Sequence, residues 1–415
     1  MKRFSKTLVT ATGLSGLLLA SAANAGIEVE AGDWTLTFDG NVNAYYTNTR
    51  CESDAAAIDG GLACTDARGN DSRSKLRTGF LPAKLGIGAH TRQNGLDITA
   101  YVSYWPGVDG GTASDFSGQN TGLGFNSVNF RQVYLTFGNE DIGTFKLGRD
   151  LGIFGSDAIL SDMSLLGVGT VSDVTINGGN TSLGRLGNGY LYADWKAQAS
   201  YASPDFNGFS FVAGVTDPFD PFTAWGEEYS LSQQTDKSQP AFEGKVAYDW
   251  DGEVSGRVWG GFIHQKVDGR LGGDGDSFDY NAQGYEVGVK ASVAGFEGVA
   301  YYYEGKGIGS IAFLHQGASA DGTRRDSDGY MLQGTYTLPG AGTKLGLSYG
   351  ESNLDQNEMD ADTLIDRNSS VIVGAYHPLT PNLNLVAEYT QTKAENHAGD
   401  SNRENNVALG AILFF

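Results

Sequence analysis

The sequence predicts an all-β fold, a transmembrane antiparallel up-and-down β-barrel of about 16 strands. Three observations lead there. Apolar residues recur at every second position in run after run, the period of a strand with one apolar face. The runs are joined by connections that alternate strictly between long and short, which in a closed barrel gathers the loops at one end and the turns at the other. The chain ends NNVALGAILFF (405–415), with Val407, Leu409, Ala411, Leu413 and Phe415 in strand period to the last residue. Soluble domains usually end in frayed polar residues, so an apolar medium must meet one face of this strand throughout.

At the other end, MKRFSKTLVTATGLSGLLLASAANA has a basic start (Lys2, Arg3, Lys6), an apolar middle and Ala23-Asn24-Ala25. That is the layout of a secretory signal peptide. Its apolar middle is too short for a spanning helix, which needs about 20 residues. Residues 1–25 are therefore read as a leader and 26–415 as the barrel domain. The chain carries 28 Lys+Arg against 49 Asp+Glu, a net charge of −21. The leader holds three of the basic residues and no acidic ones, so the remainder is near −24. That balance excludes nucleic acid as a partner, because phosphates need basic surface. Sixty glycines and 41 Tyr and Phe fit many strands and turns. Cys51 and Cys64 lie in one polar stretch, RCESDAAAIDGGLACT. Outside the cytoplasm such a pair is expected to form a structural disulfide, and the segment has too few ligands for a metal.

Along the chain, WTLTFDGNVNAYY places Trp34, Leu36, Phe38, Val42 and Ala44 on one face. LDITAYVSYW does the same with Leu96, Ile98, Ala100 and Val102. VYLTFG, TFKLGR, FSFVAGV, KVAYDW, EVSGRVWGGFI, YEVGVKASV, GYMLQGTYTL, TKLGLSYG, VIVGAYH and LNLVAEYT repeat the pattern. Pro82 cannot donate to a ladder, so it marks a bulge or a strand start. The short connections are 92–96, 138–143, 203–208, 249–253, 293–298, 338–343 and 378–383, all with turn residues. The long polar ones lie near 48–74, 106–125, 151–189, 217–237, 267–278, 305–327, 353–366 and 394–402. Eight loops and seven turns join sixteen strands, and the barrel must close, since an edge in lipid would leave backbone groups unpaired. A soluble sandwich of this length needs two domains, and no linker is visible. No propeller or solenoid repeat period is found. With short turns on the periplasmic side, Phe414 and Phe415 fall in an interfacial aromatic girdle.

The chain resembles Gram-negative general porins, most sharply over FRQVYLTFGNEDIGTFKLGRDLGIFGSDAILSDMSLLGVG (130–169). A strand, a tight turn and a G-R strand lead there into a long third loop, about 151–189. The resemblance implies that this loop folds into the lumen and narrows the channel, with loop acids facing basic residues on the wall. Asp162 matches the early loop acid, and Asp157 is a second candidate. The family's next acid, in a Pro-Glu-Phe-Gly-Gly segment, is replaced here by Leu165-Leu166-Gly167-Val168-Gly169. Lys84, Arg131, Arg149 and Arg185 match the basic wall positions. Lys84 alternates with Leu85, Ile87 and Ala89, so it faces inward if they face lipid. Arg131 shares parity with Val133, Leu135 and Phe137, which opposes an inward position unless a bulge intervenes. Arg149 has the same parity difficulty, at a strand end where it can point to solvent. Phe415 resembles the terminal residue of the signal read by the outer-membrane assembly machinery.

The expected function is passive diffusion of ions and small hydrophilic solutes through a water-filled outer-membrane channel. Weak cation selectivity follows from the net charge, and a homotrimer in outer-membrane lipid and lipopolysaccharide from the resemblance. A substrate-selective channel with a dedicated solute site, or a receptor or adhesin working through its loops, are the other readings. No cofactor is expected. The five histidines, His90, His264, His315, His377 and His397, have no H-E-x-x-H or G-x-S-x-G context, so no enzyme is expected. The acidic stretches 272–279 and 353–362 lack EF-hand spacing and read as solvated loop charge.

Overall fold

The computed structural model describes residues 26–52, 58–64, 72–108, 128–171, 181–220, 233–235, 237–271, 277–319 and 321–415. The leader reading of residues 1–25 lies outside them. The strands are β1 (Ile27–Ala31), β2 (Trp34–Cys51), β3 (Ser72–Arg77), β4 (Lys84–Gln93), β5 (Leu96–Pro106), β6 (Val128–Asn139), β7 (Gly143–Leu151), β8 (Trp195–Ala202), β9 (Phe209–Thr216), β10 (Gln233–Thr235), β11 (Ala241–Trp250), β12 (Ser255–Leu271), β13 (Ser277–Val293), β14 (Phe296–Lys306), β15 (Asp326–Thr337), β16 (Lys344–Leu354), β17 (Ile365–Pro378), β18 (Leu383–Asn396) and β19 (Ser401–Phe414).

Each strand pairs antiparallel with its neighbour, and β19 closes the sheet on β2. Three of the nineteen segments extend a neighbour's line. β1 continues β19 along β2, β3 and β4 share one line along β2, and β10 continues β11 along β12. Nineteen segments less three make sixteen staves, as the alternation of connections predicts. The interruption between β3 and β4 contains Pro82. The seam ladder runs on through Phe415. Phe415 N–H donates to Gly40 O at 3.0 Å, and Gly40 N–H donates to Phe415 O at 2.8 Å.

Alternation decides which face is which. On β19, Val407, Leu409 and Leu413 are exposed, while Asn402, Glu404, Asn406 and Ile412 are buried. The exposed row is apolar and the buried row largely polar, the reverse of a soluble sheet and the arrangement lipid requires. Turn chemistry fixes the register at the short end. Asn94 and Gly95 both have positive φ (50° and 82°), the two-residue primed turn that matches strand twist.

Two of the expected long connections are mostly strand. β12 and β13 run to Leu271 and from Ser277, and β18 and β19 are joined through 397–400. Beyond the apolar belt both faces of a hairpin become polar, so the period-2 signal fades while the ladder continues. β1 was hidden for a similar reason, since all five of its residues are exposed. The 305–327 connection is also not simply polar, because its middle is apolar and buried.

The buried cluster joins inward strand side chains (Tyr45, Trp105, Trp259, Tyr303, Met331) to residues of three connections. These are Leu62 from 58–64, Phe154, Met163, Leu165, Val168 and Tyr190 from 152–194, and Ile308, Ile311 and Phe313 from 307–319. The Cys51–Cys64 disulfide is formed, with Cα atoms 5.3 Å apart, and ties the first of these to the end of β2. Cys64 N–H donates to Glu404 Oε2 at 3.0 Å and Leu62 N–H to Asn368 Oδ1 at 2.9 Å. Cys51→Ser is expected to loosen 58–64 by about 3 kcal/mol, the entropy of a closed loop of this size. Equal protease susceptibility of this segment with and without the disulfide would contradict that.

Candidate functional site

The inner wall has two halves of different chemistry. From β16 to β19 and on to β2 it carries mostly small neutral groups such as Ser348, Ser352, Asn368, Ser370, Thr392, Thr47 and Thr49, all buried, with the carboxylates Glu388 and Glu404 among them. From β4 to β12 it carries charge: Lys84, Lys146 with Asp150, Lys196 with Glu243, Lys245 and Arg257.

The 152–194 connection bonds to inward side chains around most of the barrel. It contains a short helix α1 (Ser156–Ser161) and a 3-10 turn (Met163–Leu166), and most of its backbone has no ladder partner. Three strand glutamates supply acceptors. Glu243 Oε2 accepts Ile153 N–H at 2.8 Å and Phe154 N–H at 2.9 Å. Glu286 accepts Gly155 N–H at 3.0 Å. Glu388 Oε2 accepts Val168 N–H at 2.7 Å and Gly169 N–H at 2.9 Å. Gln333 accepts Met163 N–H and donates to Ser161 O, both at 2.8 Å. Tyr45 OH donates to Leu166 O at 2.6 Å. Buried N–H groups must find acceptors, and a carboxylate that accepts two is a strong one. Reading for opposed charges passed over these glutamates. Their signal was parity: each sits on the polar face of its strand, beside outward Phe242, Tyr285 or Tyr389.

The six candidate residues fall in different settings. Asp157, on α1, is joined to two wall cations, Lys245 Nζ at 2.5 Å and Arg257 Nε at 2.9 Å. Burial by itself would raise its pKa, but Lys245 and Arg257 override that and hold it below the usual carboxylate range. Asp162 is buried and caps the 3-10 turn. Its Oδ1 accepts Ser164 N–H at 2.9 Å and its Oδ2 accepts Tyr190 OH at 2.7 Å. Asp162→Ala is therefore expected to weaken this corner by about 1 kcal/mol, the scale of a lost cap, and to leave ion selectivity unchanged. A reversal-potential shift as large as that of an Asp157 variant would contradict the capping role.

Lys84 pairs with Asp39 at 2.6 Å and lies over the Tyr101 and Trp105 rings. Arg131 sits at a bulge. The β5–β6 pairing passes from Ser103–Gln132 to Tyr104–Phe130 and skips Arg131. Phe130 and Val133 both stay outward, while the Arg131 guanidinium lies 5.3 Å from the Trp105 ring centroid and 5.9 Å from that of Trp195. The bulge thus removes the parity objection. Arg149 is exposed on the outward row of Phe145 and Leu147, so it is not a wall cation. The inward cation of that strand is Lys146, three residues earlier. Arg185 is not an open wall charge either. It is fully buried within the 152–194 connection, where Nε donates to Ser348 Oγ at 2.7 Å and Nη1 to Ser370 O at 3.1 Å. It clamps the connection to β16 and β17. The inward cations Lys146, Lys196, Lys245 and Arg257 were not anticipated, although alternation places each on the polar face.

Among the described residues no group of three or more metal-capable side chains is present.

Residues 9–397 match a family model described as Gram-negative porin. A search of curated proteins found no match. Among solved structures, the fold is similar to the outer membrane channel DcaP of Acinetobacter baumannii, at 17% identity and a TM-score of 0.67, over 94% of this chain and 100% of that one. It is similar to the anion-selective porin from Comamonas acidovorans, at 18% identity and a TM-score of 0.57, over 92% and 100%. It is also similar to OmpF of Salmonella typhi, at 16% identity and a TM-score of 0.57, over 94% and 100%.

Proposed function

Because this chain belongs to the Gram-negative porin family, and so forms an outer-membrane channel, we propose that it passes ions and small hydrophilic solutes by passive diffusion with weak cation selectivity. The observation that carries this reading is the 152–194 connection, bonded to inward side chains while its Asp157 meets Lys245 and Arg257 of the wall. A third loop so placed narrows the channel, and opposed charges across what remains set up a transverse field. Low-dielectric walls focus that field, and clusters of one sign bias which ions enter. The cation preference rests on the net charge of −21. An excess of inward cations between β4 and β12 favours the second reading, an anion-preferring channel. No catalytic role is proposed. We further take residues 1–25 as a cleaved leader, the assembly as a homotrimer, and Phe415 as part of the signal for the assembly machinery. The acidic external loops are taken to face lipopolysaccharide.

Zero-current potential in a planar bilayer under a KCl gradient tests selectivity. The cation sign, in steps of three equal levels, is the expected result. The opposite sign selects the anion reading. A small conductance blocked by one solute selects a dedicated channel, and silence of a folded barrel turns attention to a loop receptor.

A further inference from the structure

We propose that the 307–319 connection is a second constriction element, an in-folded apolar gate whose bulk limits solute size beside the charged constriction; it rests on the channel reading above. The connection contains Ile308, Ile311, Ala312, Phe313 and Leu314, none more than 2% exposed. An external loop has no reason to carry five such residues unless something buries them. Ile308 packs over Gly284 of β13, where a Cβ would come within 2.9 Å of its Cδ1. Ile311 O accepts Tyr192 N–H at 2.9 Å. The Ile311 side chain lies against Gly187, where a Cβ would meet Ile311 Cγ1 at 2.7 Å and Leu62 Cδ1 at 2.9 Å. The Phe313 ring lies 5.2 Å from Lys196 Nζ of β8, four staves from β13, and 6.3 Å from the Phe219 ring.

The segment thus spans from β13 to the β8–β9 side, and its apolar tip meets those of 58–64 and 152–194. Its ends are fastened rather than loose. Arg325 Nη1 donates to Gln316 O and Ala318 O, both at 2.8 Å, and the same guanidinium pairs with Asp360 at 2.6 Å. Ser327 Oγ donates to Gly309 O at 2.8 Å. A packed segment inside a barrel limits conduction by the cross-section it fills, a barrier of size rather than of charge. Asp157, Lys245 and Arg257 act instead on the sign of the ion.

The test compares the full-length protein with Ile311→Ser/Phe313→Ser, and with a second variant in which residues 308–315 are replaced by glycine and serine. Folding is checked by heat-modifiable migration and circular dichroism. Loosening this packing is expected to raise single-channel conductance by at least about two-fold. The reversal potential should keep its sign, since no charge is altered, and liposome swelling should admit larger neutral sugars. Folded variants that conduct like the parent overturn the proposal, as does a conductance rise accompanied by an equally large selectivity shift. A silent parent with conducting variants supports the gate as a full closure. Silence of parent and variants together overturns the channel reading and the gate with it.

Discussion

Glu388→Ala is expected to free the Val168–Gly169 corner of the third loop while leaving the barrel intact. One carboxylate accepts both backbone N–H groups through Oε2 and the Tyr376 hydroxyl, at 2.6 Å, through Oε1. Alanine leaves three buried donors without that acceptor, at about 1–3 kcal/mol each where no water replaces it. The loss is therefore several kcal/mol, and it falls on the loop, because the β17–β18 and β18–β19 ladders are made by backbone groups. Hydrogen exchange at Val168 and Gly169 should accelerate, and single-channel current should become noisier and larger on average. Glu388→Gln keeps one acceptor oxygen but turns amide hydrogens toward the donors, so an intermediate effect is expected. Unchanged exchange and current noise in a folded Glu388→Ala barrel would show that the loop is held by its other contacts alone.

Asp157→Asn is expected to shift ion preference toward anions. It leaves Lys245 and Arg257 facing a neutral amide, adding a net positive charge to the constriction. One charge a few ångströms from an ion's path, at the screening of bulk water, is worth about 1 kcal/mol, or roughly a five-fold change in the permeability ratio. Lys84→Ala should act in the opposite direction by exposing Asp39. The pH dependence follows from the sign of the shift. Asp157 has a depressed folded-state pKa, so the ion pair's contribution is present above the ordinary carboxylate value of about 3.9. It is lost only as pH falls through the lower folded value. Selectivity should therefore hold constant from neutral pH to about 4. A reversal potential that drifts between pH 7 and 5 would assign the control of selectivity to other groups.

The difference between Asp157 and Asp162 shows where reading the chain reaches its limit. Both are acids early in the third loop, and the resemblance puts Asp162 first and Asp157 second. One helical turn and one cap separate them: Asp157 projects to two wall cations, while Asp162 turns back on Ser164 and Tyr190. Arg149 and Arg131 show the same limit from the strand side. They share the outward parity, but a single skipped residue in the β5–β6 ladder re-aims Arg131 toward Trp105 and Trp195. A bulge is one residue long and leaves no compositional trace, so no periodicity argument could place it.

What the chain determined by itself was the medium and the architecture. Outward apolar residues at every second position, turns alternating with loops, and an apolar final strand follow from lipid on one face and from the need to pair every backbone group. Those are local patterns repeated sixteen times, and repetition makes them legible. What only the tertiary structure decided was the contents of the barrel. The glutamate anchors and the buried Arg185 clamp depend on contacts between residues 90 to 220 positions apart, such as Ile153 with Glu243 and Val168 with Glu388, and the apolar 307–319 segment on Tyr192 of another connection. Those partners are chosen by barrel closure, which brings distant strands to face one interior, and no stretch of sequence carries that information alone.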